Sequence, residues 1–270
     1  MPAPGQPQVV VESAGEQGIL DLDPALVADL YKAHGALLFR GFGVDVPDFR
    51  AFAAQFCSTS VANDPAGREP IDRDANIHTV DRGTRAFELH PELSREPWKP
   101  DVAMFACLSA PGRGGQTTIC DGVALVCELP EDVRRGLEHR RLLYVMPTWP
   151  ALLAYWLGTP HPTDAQLAAP PPGCPYFFRR YPGGEIVRGF TRPALHTPMF
   201  TDAPAFGNFL LFARFGHGRP DYPVLDDGQP VPEAWLQAVK ATGDRLAVAI
   251  GWRPGDLLML NNTRFMHGRT

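Results

Sequence analysis

The stretch FELHPELSREPWKPD, from Phe87 to Asp101, places a histidine and a glutamate either side of a proline. On a strand, residues two apart share a face, so His90 and Glu92 could reach one ion, with Glu88 on the same side. Pro91 donates no ladder hydrogen bond, which places the pair at a sheet edge or an irregular strand end. With eight histidines and 30 acidic residues in 270, about one His-x-Asp/Glu pair arises by chance, so the motif needs a partner. His267, just beyond the apolar run LLMLNN, supplies one. Two imidazoles and a carboxylate on one side of a metal leave three open positions, the donor set of non-haem Fe(II) sites that bind O2 and an organic cosubstrate. The same three ligands with a bound water would also suit a zinc hydrolase, and an ordinary turn containing a histidine is the plainest alternative.

Other chemistries find no support. There is no GxSxG elbow and no P-loop, and GRGG at 112–115 reads as turn chemistry rather than a phosphate cradle. The formal charge of -5, with basic residues scattered along the chain, argues against nucleic acid or an anionic membrane as partner. The N-terminus lacks a secretion signal and no run of 18 apolar residues occurs, so a soluble, cytoplasmic protein is expected. Five cysteines form no CxxC pair, and Cys107, Cys120 and Cys127 lie in apolar segments as expected reduced core residues.

These residues need elements to hold them. With 29 prolines and 26 glycines spread along the chain, many turns between short elements are expected, and with them a β-rich domain. DPALVADLYKAH predicts a helix capped by Asp23 and ended by Gly35, followed by the strand ALLFRGF and the helix VPDFRAFAAQF. Residues 58–85 read as a long surface or active-site loop. DVAMFACLS and QTTIC read as two strands joined by the glycine turn into a hairpin. ALVCELPEDVRRGLEHR predicts two helices broken at Pro130, GNFLLFARF a strand, and VPEAWLQAVKATGDRLAVAIGW a helix. The region around 147–205, rich in proline and aromatics, reads as a lid or insert within a single domain spanning 1–270.

The run LHPELSREPWKPDVAMFACLSAPGRGGQTTICDG resembles the core of the clavaminate synthase-like branch of the taurine dioxygenase (TauD/TfdA) superfamily. That family reads His-x-Glu, Pro-Asp before an apolar strand, Gly-Gly-x-Thr and an Asp. HGALLFRGF, DGQPVPEAW and PGDLLMLNNTRFMHGR match further family segments in the same order. The resemblance implies a mainly β protein with flanking helices around a double-stranded β-helix, or jelly roll. It also implies Fe(II), 2-oxoglutarate as cosubstrate, and O2. Residue by residue, His90, Glu92 and His267 match the metal ligands, and Thr117 matches the threonine that helps hold the outer carboxylate of 2-oxoglutarate. A cross-strand hydrogen bond is the alternative role for Thr117. Since halogenating relatives lack the carboxylate ligand, Glu92 points to hydroxylation or desaturation, with release of succinate and CO2.

One departure concerns the arginine that family members carry some ten to fifteen residues beyond the second histidine, where it pairs with 2-oxoglutarate. This chain ends three residues after His267. The expectation is that the sequence is truncated, since a jelly roll stopped there would leave a sheet edge unpaired; otherwise Arg269 or Arg264 substitutes. The resemblance implies a small-molecule substrate, an amino acid or a carrier-bound amino acid in a natural-product pathway. Candidate contacts are Glu88 for an amine and Arg179, Arg180, Arg188 or Arg264 for a carboxylate. A non-catalytic jelly-roll metal- or ligand-binding protein that has lost 2-oxoglutarate use is the alternative. The sequence leaves the oligomeric state open.

Overall fold

A computed structural model of the chain describes residues 5–15, 17–61 and 67–270. Asp23 caps helix α1 (Pro24–His34), its carboxylate accepting from the Ala25 N–H at 2.9 Å, and Gly35 ends it at φ 75°. The chain enters β2 (Ala36–Arg40) and then α2 (Val46–Phe56), capped by Asp45. β2 lies between β1 (Val9–Glu12) and β13 (Leu257–Asn261), and β6 (Val102–Ala106) completes this first sheet in the order β1-β2-β13-β6. Both faces of β2 and β13 are covered, which is why ALLF and LLML are continuous apolar runs. Leu37, Phe39, Leu257 and Met259 pack outward against α1 and α2, while Ala36, Leu38, Leu258 and Leu260 pack the other way.

That other side is shared with a second sheet. β5 (Phe87–His90), β7 (Thr117–Asp121), β12 (Val248–Ile250) and β14 (Phe265–Arg269) run in the order β12-β7-β14-β5. Ile119, Ile250 and Phe265 of this sheet join Leu38, Leu258 and Leu260 of the first in one buried cluster. β14 is therefore paired on both sides, and the edges of this sheet are β12 and β5. The expected hairpin of DVAMFACLS and QTTIC is also corrected. β6 pairs with β13 in the first sheet, and β7 with β14 and β12 in the second. Its glycine turn carries the chain between layers, and turn residues alone do not reveal whether two strands return to the same sheet.

The third sheet, β11-β8-β10-β9, is built from β8 (Arg141–Pro147), β9 (Phe177–Arg180), β10 (Ile186–Pro193) and β11 (Val224–Leu225). Its apolar residues merge with α3 (Gly122–Glu128), α4 (Glu131–Glu138), α5 (Pro150–Leu157), α6 (Asp164–Ala168) and α7 (Glu233–Leu246) in the largest buried cluster. The segment 147–205 is thus strand and helix packed on core. GNFLLFARF, expected as a strand, is helical, with a π-helical turn at Phe212–Gly216. A short apolar run does not by itself distinguish a strand from a buried helical turn. Cys107 and Cys120 are buried as expected, but Cys127 is exposed. Its helix α3 turns Leu125 and Val126 inward instead. Among the described residues no helix is long and apolar enough to cross a membrane.

The expected 58–85 loop is partly ordered into a ribbon. β3 (Pro70–Asp72) and β4 (Ile77–His78) pair antiparallel, while residues 62–66 lie outside the described residues. The turn between β13 and β14 is held from behind. His196 Nε2 meets the Thr263 carbonyl at 2.7 Å, and Met199 N–H donates to Thr263 Oγ1 at 2.9 Å. As the carbonyl can only accept, Nε2 carries the proton.

Two outcomes are expected. A methyl group at Gly268, in β14, would stand 2.5 Å from the Phe87 carbonyl and 2.8 Å from Thr118 Oγ1. Gly268→Ala should therefore cost about 1–3 kcal/mol in chemical denaturation. Burial first, then the charge of Lys99, pushes His196 down to about 4, against about 6.5 for an unfolded histidine. Below about 6.5 the unfolded chain binds a proton that the folded one refuses, so His196 makes stability fall with pH until about 4. Denaturation midpoints measured across that window should flatten in His196→Gln.

Candidate metal centre and cavity

β5 and β14 set His90 and His267 directly opposite one another, with their ring centroids 4.6 Å apart. The register slips between His267 and Arg269, a bulge of the kind that re-aims side chains beside active sites. β5 ends at His90, and Glu92 lies in the turn that follows, where Leu93 takes φ 54°. Glu92 therefore does not reach the site by strand alternation. Asn262, itself buried, clamps it through the main chain: the Glu92 N–H donates to Asn262 Oδ1 at 2.7 Å, and Asn262 Nδ2 donates to the Glu92 and Pro100 carbonyls at 3.1 and 2.7 Å.

His90 Nδ1 is 2.7 Å from the Glu88 carbonyl, which can only accept. The proton is thus on Nδ1 and the Nε2 lone pair is left for a metal, as in ligating histidines generally. Phe212 and Phe209 pack on the ring at 4.4 and 6.5 Å between centroids. Burial, and then the neighbouring His267, pushes His90 down to about 3, so its neutral, ligating form persists. His267 Nε2 lies 3.6 Å from Glu92 Oε2, and Phe105 packs at 5.0 Å on the other side. Burial works against the Glu92 charge, but the hydrogen bond and charge of His267 and the Arg68 guanidinium outweigh it, holding the carboxyl well below its usual range.

His90, Glu92, His267 and Thr117 all line one cavity of about 660 Å³. In donor chemistry they fit a divalent iron: two neutral-capable imidazoles and an ionised carboxylate. They stand as neighbours rather than as a gathered cluster, for among the described residues no three His, Cys, Asp or Glu side chains are already arranged to hold an ion. Glu92 Oε1 is drawn instead towards Arg68 Nη1 at 3.3 Å.

Thr117 Oγ1 accepts from Trp252 Nε1 at 3.0 Å and lies opposite Arg269 in the β7/β14 register. Arg269 lines the cavity, its guanidinium 4.2 Å above the Phe87 ring and donating to the Asp81 carbonyl at 2.6 Å and the Arg85 carbonyl at 2.8 and 3.0 Å. Three of its five N–H groups are thereby engaged. Arg264 points elsewhere, bound two-pronged to Asp121 at 2.6 and 3.0 Å.

The substrate contacts expected from sequence do not assemble. Glu88 pairs with Lys240 at 3.1 Å and Arg180 with Asp164 at 2.8 Å; Arg188 is buried beneath Trp149. None of them, nor Arg179 or Arg264, lines the cavity, and no residue of 147–205 does so. Ile71, Ile77 and His78 of the β3/β4 ribbon line it instead. Sequence reasoning missed Arg68, Trp252 and the role of Asn262. Only Asn262 carried a signal, as part of the Asn-containing segment LNNTRFMHGR.

The family model for "Taurine catabolism dioxygenase TauD, TfdA family" matches residues 17–270. Among characterised relatives, the dapdiamide synthesis protein DdaC of Enterobacter agglomerans is 20% identical over 272 aligned positions, covering 90% of this chain and 80% of that protein. The PvcB structure from Pseudomonas aeruginosa superposes with a TM-score of 0.60 at 16% identity, covering 98% and 81% of the two chains. PvcB is described as an Fe, alpha-ketoglutarate dependent oxygenase from an isonitrile synthetic pathway. A taurine dioxygenase from Burkholderia xenovorans gives a TM-score of 0.61 at 15% identity, over 97% and 80%. With a family match running from residue 17 to the last residue and a cavity that holds two histidines and a carboxylate, the chain belongs to the TauD, TfdA dioxygenase family and is an oxygenase that works with Fe(II), 2-oxoglutarate and O2.

Proposed function

We propose that the chain is one domain, 1–270, which hydroxylates or desaturates an amino-acid-like small molecule in a biosynthetic pathway, with His90, Glu92 and His267 as the iron ligands. The observation that carries this reading is the opposition of His90 and His267 across β5 and β14, with Glu92 3.6 Å from His267 in the same cavity. The two sheets sharing the Ile119–Leu258–Phe265 core, with the chain crossing between them after β6 and after β13, support a double-stranded β-helix. The printed roles of DdaC and PvcB, in dapdiamide synthesis and an isonitrile pathway, support a natural-product setting. Five free cysteines suit a reducing, cytoplasmic location.

Iron with 2-oxoglutarate and O2 supplies the oxidation, releasing succinate and CO2, and the protein's part is placement. The Glu88 carbonyl fixes the His90 tautomer, and Asn262 fixes the Glu92 main chain. Thr117 and Trp252, with the remaining N–H groups of Arg269, form the polar corner that suits the outer carboxylate of 2-oxoglutarate. Phe105, Phe209 and Phe212 keep the imidazoles dry.

Anaerobic addition of Fe(II) and 2-oxoglutarate should give the weak visible charge-transfer band of the chelate, and His90→Ala or His267→Ala should abolish it. Persistence of the band in both variants would overturn the ligand assignment. Thr117→Val should raise the 2-oxoglutarate concentration for half-maximal band by roughly tenfold, the worth of one hydrogen bond to a charged group. Asn262→Ala should weaken Mn(II) binding, followed by electron paramagnetic resonance, by roughly tenfold, as other supports of metal ligands do.

A further inference from the structure

The cavity holds much more room than iron and a five-carbon cosubstrate occupy, since about 660 Å³ is in the range that encloses a drug-sized ligand. Most of its remaining wall is apolar: Phe49, Ile71, Ile77, Val80 and Met104 line it away from the histidines. A small zwitterion would leave that wall wet. The lining carboxylates are Asp81 and Glu92, and the lining arginines are Arg68, Arg95 and Arg269. Arg95 is exposed, and Arg269 is tied to the Asp81 and Arg85 carbonyls beside Thr117.

Arg68 is different. Its one polar contact among the described residues is Nη1 to Glu92 Oε1 at 3.3 Å, so most of its five N–H groups have no partner among those residues. Its main chain is held on both sides. The Thr79 N–H donates to the Glu69 carbonyl at 2.8 Å, the Glu69 N–H to Thr79 Oγ1 at 2.9 Å, and the Arg82 N–H to the Gly67 carbonyl at 3.4 Å. The ribbon thus delivers a guanidinium to the edge of the metal centre from the apolar side of the cavity.

We propose that Arg68 is a specificity-determining residue that binds the carboxylate of a largely apolar acid, holding the acid end beside Glu92 and laying the apolar body against Phe49, Ile71, Ile77 and Met104. This rests on the oxygenase reading of the same cavity and narrows its substrate to molecules with one acidic end and an aromatic or long aliphatic body.

The test uses 4-phenylbutyrate and its neutral amide as probes, read by calorimetry on the protein with Mn(II) and 2-oxoglutarate and, separately, without either. Wild type should bind the acid roughly tenfold to a hundredfold more tightly than the amide, the range for a two-pronged charged pair. Arg68→Met should bring the acid down to the amide while leaving the amide unchanged, and Arg68→Lys should restore part of the preference. Equal binding of acid and amide by wild type, no binding of the acid, or equal loss of both probes in Arg68→Met would each overturn the proposal. The Fe(II) and 2-oxoglutarate band separates the two levels of inference. Its absence in wild type sinks the oxygenase reading whatever the probes do, and its loss in Arg68→Met assigns that arginine to positioning Glu92 rather than to substrate.

Discussion

The antiparallel pairing of β14 with β5 is the constraint on which the site depends. It sets His267 against His90 although 177 positions separate them in the chain, and it is braced from β7 on the far side of β14. The pairing also decides how Glu92 must be held. Because β5 stops at His90, Glu92 sits in irregular backbone, where the Asn262 clamp from the β13–β14 turn holds its main chain and its carboxylate lies 3.6 Å from His267. That turn is itself held by His196 and Met199. One strand pairing and one side-chain amide thus connect the fold to the chemistry.

Electrostatics follow from the same placement. Aromatic cover makes a protonated His90 costly, and its Nδ1–H is already given to a carbonyl, so the ring stays in the form that can ligate. Glu92 is half-buried yet ionised, because His267 and Arg68 compensate its charge. Arg68, which pairs with that carboxylate, lines the cavity together with the apolar side chains of Ile71, Ile77 and Met104. The cavity is consequently polar at the Thr117, Trp252 and Arg269 corner and along the Arg68–Glu92 edge, and apolar between.

The layers explain where the cavity can be. Two sheets close on the cluster around Ile119, Leu258 and Phe265, and Phe105 and Trp252 extend that cluster to the site. The third sheet and five helices form a separate core, which takes up the proline-rich 147–205 segment. The remaining cover falls to the small β3/β4 ribbon and to the π-helical turn at Phe212, elements with little apolar periodicity of their own.

Much of the framework was legible in the chain by itself. Asp23 and Gly35 bounded α1, continuous apolar runs marked β2 and β13, and Pro130 divided α3 from α4, because caps, burial on two faces and a missing N–H are local properties. His90, Glu92, His267 and Thr117 were identifiable as a set through the segments that carry them, and the cavity gathers all four. Tertiary structure alone decided the rest. Whether β6 and β7 share a sheet, whether FLLFARF is strand or helical turn, and which of many arginines faces the site all depend on partners far away in sequence. Arg68 sits in a stretch with no pattern, 24 positions from Glu92, and its meaning comes only from the ribbon that turns it inward. Local chemistry singled out the candidate ligands; long-range pairing brought them into one cavity and chose their neighbours.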